Sequence, residues 1–185
     1  MKTLLFTLEY PPFHGGVANY YGNLIKYWPE PKEISVLNNN ESRLLNNRLP
    51  LLKWLPAYWV LAARIKQQKI KHVIVGQILP LGTVALICSR FCRIKYSVFL
   101  HGMDLTYALK SRRKKWLSEK ILKNADKIIC INSYAADIAE RTFTKIKSKI
   151  MIANPGVENR AVHDSHLLTQ AKSKYNLENK IILLS

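Results

Sequence analysis

Residues 72–104 read HVIVGQILPLGTVALICSRFCRIKYSVFLHGMD, and this stretch decides the fold class. Two short and largely apolar runs, His72 to Val75 and Tyr96 to Leu100, flank a run of helical length from Leu81 to Phe91. A membrane-spanning helix needs about 20 largely apolar residues, and turn residues at Gly76 and Pro80 interrupt the apolar sequence here. The stretch therefore predicts a strand, a helix and a second strand that together form one unit of a sheet.

The same alternation continues toward both ends of the chain, where further strands and helices are predicted in turn. These are a strand over Lys2–Leu8, a helix over Gly16–Trp28, a strand over Glu33–Leu37, helices over Pro56–Gln68 and Ser111–Asn124, a strand over Lys127–Ile131, a helix over Ser133–Phe143 with Ser133 as its N-cap, and a strand over Lys149–Ile152. Apolar strands that alternate with helices are typical of a parallel sheet covered on both faces. We predict a doubly wound α/β fold with ligands bound beyond the carboxyl ends of its strands.

Length and composition fit one domain with an addition. The chain has 185 residues, 48% of them hydrophobic, and only 7 Gly and 8 Pro, so disordered and collagen-like classes are excluded. We expect an α/β domain over residues 1–155, then a linker and a polar helix over 156–179. Residues 180–185 are expected to form the first strand of a further domain, because an isolated strand cannot bury its apolar side chains. Alternatively, this strand pairs at the edge of the first sheet.

Cysteine usage predicts a reducing compartment and no metal site. The chain has three cysteines, Cys88, Cys92 and Cys130, and this small, odd number does not fit a disulfide framework. Cys88 and Cys92 lie four apart on an apolar helix, which favours core packing over metal ligation. The first residues have no signal-peptide pattern. We expect a cytoplasmic protein, with contact to a membrane surface left open.

The formal charge of +17 is concentrated in one part of the chain. No acidic residue occurs between Glu41 and Asp104, where ten basic residues occur, and a second basic cluster runs from Lys110 to Lys123. This charge predicts an anionic partner: membrane lipid, phosphorylated ligands or nucleic acid. A solvated, repulsive surface is the alternative.

Aromatic residues beside these cations favour a membrane surface. Basic and aromatic residues together are typical of interfacial helices, although Trp54 and Trp59 could equally pack on the core. The candidate residues for contact with the inner face of an anionic membrane are Lys53, Trp54, Trp59, Arg112, Arg113, Lys114 and Lys115.

Two loops at predicted carboxyl ends of strands carry candidate chemistry. Gly15 and Gly16 precede a helix, where backbone N–H groups can approach a ligand phosphate, although a plain tight turn is the alternative. Their spacing matches neither the G-x-G-x-x-G pattern of dinucleotide-binding folds nor a Walker A loop. His101 follows a strand directly and can donate a hydrogen bond or accept a proton, and Asp104 can orient a partner or cap the next helix.

Taken in order, the Glu-Tyr-Pro-Pro-x-x-Gly-Gly-Val segment from Glu9, the His-Gly-x-Asp loop from His101 and the Asn-Pro-Gly-Val-Glu segment from Asn154 resemble the N-terminal half of a GT-B glycosyltransferase of the family 4 type. The resemblance covers essentially the whole chain. It implies a Rossmann-like domain that faces a second such domain, and retaining transfer of a sugar from a nucleotide-sugar donor without an essential metal.

The same resemblance implies roles for individual residues. Gly15 and Gly16 would approach the diphosphate of a UDP- or GDP-sugar, and His101 would contact the donor sugar as the catalytic candidate. The acceptor, a glycan or a lipid-linked molecule, would be held on this domain; its candidate residues are Glu9, His14, Asn19 and Asp104. The family's second domain, with its Glu-x7-Glu donor motif, is not in this sequence, so we expect the chain to be inactive alone.

Three functions compete at this point. The first is the acceptor-side half of a glycosyltransferase that works at a membrane. The second is a non-catalytic partner subunit of a split glycosyltransferase. The third is a basic nucleic-acid-binding module, which the charge favours but the absence of a helix-turn-helix, RNP-like or zinc-finger pattern disfavours.

Overall fold

The computed structural model describes residues 1–46, 52–156 and 165–177, and the side chains of 165–168 and 171 are not described. The strands are β1 (Thr3–Phe6), β2 (Ile34–Leu37), β3 (His72–Val75), β4 (Lys95–Leu100), β5 (Ile128–Cys130) and β6 (Ile150–Ile152). The helices are α1 (Gly16–Lys26), α2 (Leu55–Gln68), α3 (Leu81–Phe91), α4 (Met103–Leu109), α5 (Arg112–Asn124), α6 (Ser133–Thr142) and α7 (Ser165–Tyr175). Short 3₁₀ turns precede β2 and β6.

The six strands form one parallel sheet in the order β2-β1-β3-β4-β5-β6. The connection from β1 to β2 moves one way along the sheet, and every later connection moves the other way. Since crossovers between parallel strands are right-handed, this reversal puts α1 on one face and α2 to α6 on the other. The reversal lies between β1 and β3, so the crevice beyond their carboxyl ends is the expected ligand site.

The core has two parts that match this division. One cluster of buried side chains lies beneath α2 to α6 and includes Leu4, Val73 and Val98 from the sheet. A smaller cluster beneath α1 contains Leu5, Tyr21, Ile74 and Phe99. Neighbouring residues of a strand point to opposite faces, and β1, β3 and β4 each contribute buried apolar side chains to both faces. The continuous apolar runs of the sequence therefore mark strands buried on both sides, and the predicted α/β class is confirmed.

The predicted elements agree with the structure within about two residues at their ends, and β3, α3 and the beginning of α1 agree residue for residue. One helix was missed: α4 occupies Met103–Leu109, where the sequence suggested a loop. The predicted N-cap of α6 was wrong by one residue. Asn132 caps the helix by accepting a hydrogen bond from the Ala135 N–H at 2.8 Å, because its extended backbone aims the side chain at the free amides. The strand predicted at 180–185 lies outside the described residues.

Candidate functional site

A cleft of about 590 Å³ lies at the carboxyl edge of the sheet, alongside α1. Helix α1 forms one wall, and the segments that follow β4, β5 and β6 form the opposite wall. Its lining residues are Gly16, Val17, Asn19, Tyr20, Asn23, Leu24, Tyr27, His101, Ile131, Asn154, Pro155 and Gly156. The topology thus collects several chain segments around one opening, which is how open α/β sheets build ligand sites.

The N-terminus of α1 opens into this cleft at Gly16. A Cβ atom placed on Gly16 would have no heavy atom within 4 Å, so the space above its backbone is empty. Among the described residues, no side chain caps α1, and its first turn has no acidic residue. The first N–H groups of a helix have no partner within the helix and favour an anion. The geometry suits a phosphate, with glycine leaving the approach unobstructed.

The imidazole of His101 lies at the end of β4 in a ring of aromatic side chains. The ring of Phe99 stacks against it at 6.0 Å, and the rings of Tyr20 and Tyr21 meet it edge-on at 5.8 Å and 5.3 Å between centroids. His101 Nε2 lies 2.6 Å from the Tyr21 hydroxyl oxygen, and that hydroxyl donates to the carbonyl oxygen of Gly76 at 2.7 Å. Desolvation in this setting lowers the pKa of His101 to about 4. His101 is therefore a neutral imidazole at physiological pH.

The turn after His101 depends on glycine and on a buried carboxylate. Gly102 has a φ of +87°, a backbone conformation that glycine adopts without strain, and it turns the chain from β4 into α4. Oδ1 of Asp104 accepts hydrogen bonds from the His101 N–H at 3.0 Å and the Leu105 N–H at 2.9 Å. Burial raises the pKa of Asp104 to about 6, against the opposing effect of these hydrogen bonds. Asp104 thus fixes the backbone that carries His101.

The strands β1 and β3 approach closely behind the site because Gly76 has no side chain. A Cβ atom there would lie 2.7 Å from Thr7 Oγ1 and 2.8 Å from Thr7 Cβ, closer than real contacts allow. Gln77 completes the packing, since its Oε1 accepts from the Leu8 N–H at 3.0 Å and its Nε2 donates to Thr7 Oγ1 at 3.2 Å. These contacts set the position of the Gly76 carbonyl that anchors Tyr21.

The structure brings together some of the site residues predicted from sequence and separates others. Gly16, Asn19 and His101 line the same cleft, and Gly15 caps the helix that leads into it. Glu9, His14 and Asp104 lie outside the cleft lining, although the Glu9 carboxylate lies near Gly15. Among the described residues, no three His, Cys, Asp or Glu side chains gather as a metal ion would require.

Sequence reasoning did not single out the tyrosines of α1. Tyr21 packs with the apolar side chains of the smaller core cluster, but its buried hydroxyl also contacts both His101 and Gly76. Tyr20 donates to the Ala153 carbonyl at 3.0 Å and so joins α1 to the segment after β6. A buried tyrosine needs a partner for its hydroxyl, and that requirement was the available signal.

The predicted membrane-contact residues are distributed over α2, the approach to α2 and the beginning of α5. Trp59 is 65% exposed, whereas Trp54 is half-buried against the core. Lys114 Nζ lies 3.5 Å from the centroid of the Tyr107 ring, and Lys114 and Lys53 both lower the pKa of Tyr107. Lys114 therefore contacts an exposed aromatic ring, and Lys53, from a separate basic segment, is near enough to act electrostatically on its hydroxyl. No helix in the described parts of the chain is long and apolar enough to span a bilayer.

The chain is similar to known glycosyltransferases in sequence and in fold. The chain is 23% identical over 177 residues to MJ1178, an uncharacterised glycosyltransferase of Methanocaldococcus jannaschii, covering 89% of this chain and 49% of that protein. Among solved structures, Anabaena Alr3699/HepE in complex with UDP-glucose matches with a TM-score of 0.73 at 12% identity, over 97% of this chain and 51% of that one. A glycosyltransferase from Rickettsia africae matches with a TM-score of 0.67 at 14% identity, again over 97% and 51%.

The chain thus spans about half the length of the relatives that it matches. The structural matches show a shared fold, that of GT-B glycosyltransferases, as the resemblance implied. The sequence profile of Glycosyltransferase Family 4 matches residues 14–160, which include α1, the His101 turn and the segment after β6. By this match the chain belongs to glycosyltransferase family 4.

Proposed function

We propose that this chain is the acceptor-side half of a GT-B glycosyltransferase that transfers a sugar, with retention, from a nucleotide-sugar donor. The observation that carries the proposal is the cleft at the carboxyl edge of the sheet, in which the N-terminus of α1 and His101 meet. Family membership and a match to about half of each relative support a second, donor-binding domain as its partner.

The α1 N-terminus is the proposed contact for the donor diphosphate. Gly15 and Gly16 carry backbone N–H groups at the start of α1, and the open space beside Gly16 leaves room for a phosphate there. HepE has been solved with UDP-glucose, which supports a UDP-sugar as donor, and a GDP-sugar fits the same backbone contacts. The positive end of the helix dipole stabilises the charge that develops on the departing nucleoside diphosphate.

His101 is the proposed contact for the donor sugar. A neutral imidazole binds hydroxyl groups without adding a charge to the reaction centre, and burial keeps His101 neutral. Asn19 lines the same cleft and is the acceptor residue with the most direct support. Glu9 and His14 lie in the loop between β1 and α1, and Asp104 acts through the backbone of His101.

The acceptor is proposed to be a glycan or a lipid-linked molecule reached from the inner face of an anionic membrane. Helices α2 and α5 end just before β3 and β5 begin at the amino edge of the sheet, so their amino ends, with the cations there, point toward the carboxyl edge that carries the cleft. The exposed Trp59 and the contact of Lys114 with the exposed Tyr107 ring support a surface that binds lipid headgroups.

Kinetics of the complete enzyme test the proposed site. In the His101→Ala variant, turnover should fall by roughly 100-fold or more, as when a positioned polar group is lost from a reaction centre. His72→Ala is the matched control, because His72 is also a partly buried histidine with a lowered pKa but lies at the amino end of β3 and bonds Ser97 Oγ at 3.0 Å. Equal turnover in both variants would remove His101 from the site.

Vesicle binding tests the membrane surface separately. The double variant Arg112→Glu/Arg113→Glu should bind vesicles with anionic lipid several-fold more weakly than the unmodified protein does. The control, Lys2→Glu/Lys32→Glu, makes the same change of charge at the amino edge of the sheet, where both side chains are exposed. Equal losses in the two variants would indicate attraction by net charge alone, and equal binding to neutral vesicles would contradict the proposal.

A further inference from the structure

Tyr21 is a fully buried side chain of α1 whose hydroxyl lies between two polar atoms. The carbonyl oxygen of Gly76 is 2.7 Å away and His101 Nε2 is 2.6 Å away. Both distances are those of well-formed hydrogen bonds. The tyrosine and the histidine are 80 residues apart in sequence, so this contact depends on how α1 packs on β3 and β4.

The number of protons determines the direction of both bonds. A tyrosine hydroxyl has one proton, and the Gly76 carbonyl can only accept, so the proton of Tyr21 must point to Gly76. The Tyr21 oxygen is then an acceptor toward His101, and Nε2 of the imidazole must carry a proton. Because His101 is uncharged at neutral pH, its other nitrogen, Nδ1, has a free lone pair.

The surrounding rings leave the imidazole little freedom to turn. Phe99 stacks on one side at an interplanar angle of 26°, and Tyr20 and Tyr21 stand nearly perpendicular to the imidazole at 88° and 90°. The Tyr20 hydroxyl is held in turn by the carbonyl of Ala153. Among the described residues, no protein group hydrogen-bonds to Nδ1 of His101. Nδ1 is therefore the acceptor that this histidine has available for a ligand.

We infer that Tyr21 is a positioning residue that fixes His101 in the Nε2–H tautomer, so that Nδ1 accepts a hydrogen bond from a hydroxyl group of the bound sugar. The tautomer follows from the protein alone, whereas the sugar hydroxyl as its partner rests on the proposed function. Tyr21 reaches the ligand only through His101. The Gly76 carbonyl is as necessary as Tyr21, because it determines where the tyrosine proton points.

The tautomer can be measured by ¹⁵N NMR of the histidine side chains in the ligand-free chain at pH 7. The His101 signals are assigned by their loss in a His101→Gln variant. We expect His101 to be protonated at Nε2 and unprotonated at Nδ1. A spectrum showing the Nδ1–H tautomer or a charged imidazole would overturn the inference without any variant of Tyr21.

The Tyr21→Phe variant then tests the cause. It removes one oxygen and keeps the ring, and losing one hydrogen bond should change the tautomer ratio of His101 by about fivefold or more. The control is Tyr96→Phe, since Tyr96 is also buried and donates to a backbone carbonyl, that of Ile121 at 2.6 Å, on the opposite face of the sheet. This control should leave the His101 signals unchanged.

An unchanged tautomer ratio in Tyr21→Phe would overturn the inference, as would an equal change in both variants. The experiment uses no donor, so its failure would leave the proposed function intact. Conversely, a failure of the complete enzyme to use nucleotide sugars would not alter the tautomer that the spectrum reports.

Discussion

Substitution by alanine is predicted to lower the stability of the protein at Gly76 and the affinity for the donor at Gly16. Gly76 faces Thr7, and the added methyl group would lie 2.7 Å from Thr7 Oγ1, 2.8 Å from Thr7 Cβ and 3.1 Å from Tyr21 Cε2. Gly16 faces the empty cleft, with no heavy atom within 4 Å of the added carbon. One glycine is required for packing, and the other leaves room for a ligand.

The size of the Gly76→Ala effect follows from these contacts. Thr7 is fully buried between β2 and β3 and cannot turn away, so the two strands must separate. Overpacking of a filled core destabilises by about 1–3 kcal/mol. For a chain of this length, that range corresponds to a fall in Tm of roughly 2–12 °C. Thermal unfolding followed by circular dichroism measures it.

The Gly16→Ala variant should fold as well as the unmodified protein, because alanine is a better helix former than glycine and its methyl group meets open space. Donor affinity should fall instead. If the methyl group displaces the diphosphate enough to lose one hydrogen bond to a charged group, about 1.5–3 kcal/mol, binding weakens by roughly 10- to 150-fold. Titration of the complete enzyme with UDP-glucose and with a GDP-sugar measures this loss.

The two variants control for each other. A loss of donor affinity in Gly16→Ala with an unchanged Tm indicates that the cleft holds the phosphates. Normal donor affinity in that variant would refute the proposed phosphate contact. An unchanged Tm in Gly76→Ala would show that the close approach of β1 and β3 is not as tight as the structure has it.

Three further predictions concern stability. The pKa of His101 is lower in the folded state than in the unfolded state, so the contribution of His101 to the free energy of unfolding is present above pH 6.5 and is lost toward pH 4. The pKa of Asp104 is higher in the folded state, so its contribution to the free energy of unfolding is present below pH 3.8 and is lost as pH rises through 6. When the pH is lowered from 6.5 to 4, the free energy of unfolding of Asp104→Asn, measured with urea, should fall by up to ~3 kcal/mol more than that of the unmodified protein. That of His101→Gln should fall by less than that of the unmodified protein. If both variants follow the pH curve of the unmodified protein in parallel, both pKa shifts are refuted. Lys149→Met should lower the Tm by roughly 2–4 °C, because Lys149 Nζ donates hydrogen bonds to the carbonyls of Lys123 and Ala125 at the end of α5. The control Lys147→Met should change the Tm little, because the Lys147 side chain is exposed. Asn132→Ala should destabilise by about 1 kcal/mol through loss of the α6 N-cap, and an unchanged urea midpoint would contradict that role.

The basic and aromatic segments illustrate the limit of reading charge along the chain. Lys53 and Lys114 belong to separate basic segments of the sequence, and no sequence pattern predicts that both influence the same residue. In the structure both act on Tyr107, a residue of the helix α4 that the sequence pattern did not predict. That helix is only seven residues long and follows a glycine turn, so its periodicity was too short to recognise.

The sequence by itself determined the class of the fold and the end of the sheet at which to look for a site. Apolar runs of strand length that alternate with amphipathic helices leave a parallel sheet as the stable arrangement, and the glycines and His101 follow from local position at the ends of strands. Only the tertiary structure decided which groups surround His101. Tyr21 lies 80 residues and Gly76 lies 25 residues from His101 in sequence, and hydrogen bonds over such separations leave no periodic signal. They arise because right-handed crossovers put α1 on the face of the sheet opposite α2 to α6, where Tyr21 packs against Ile74 of β3 and Phe99 of β4.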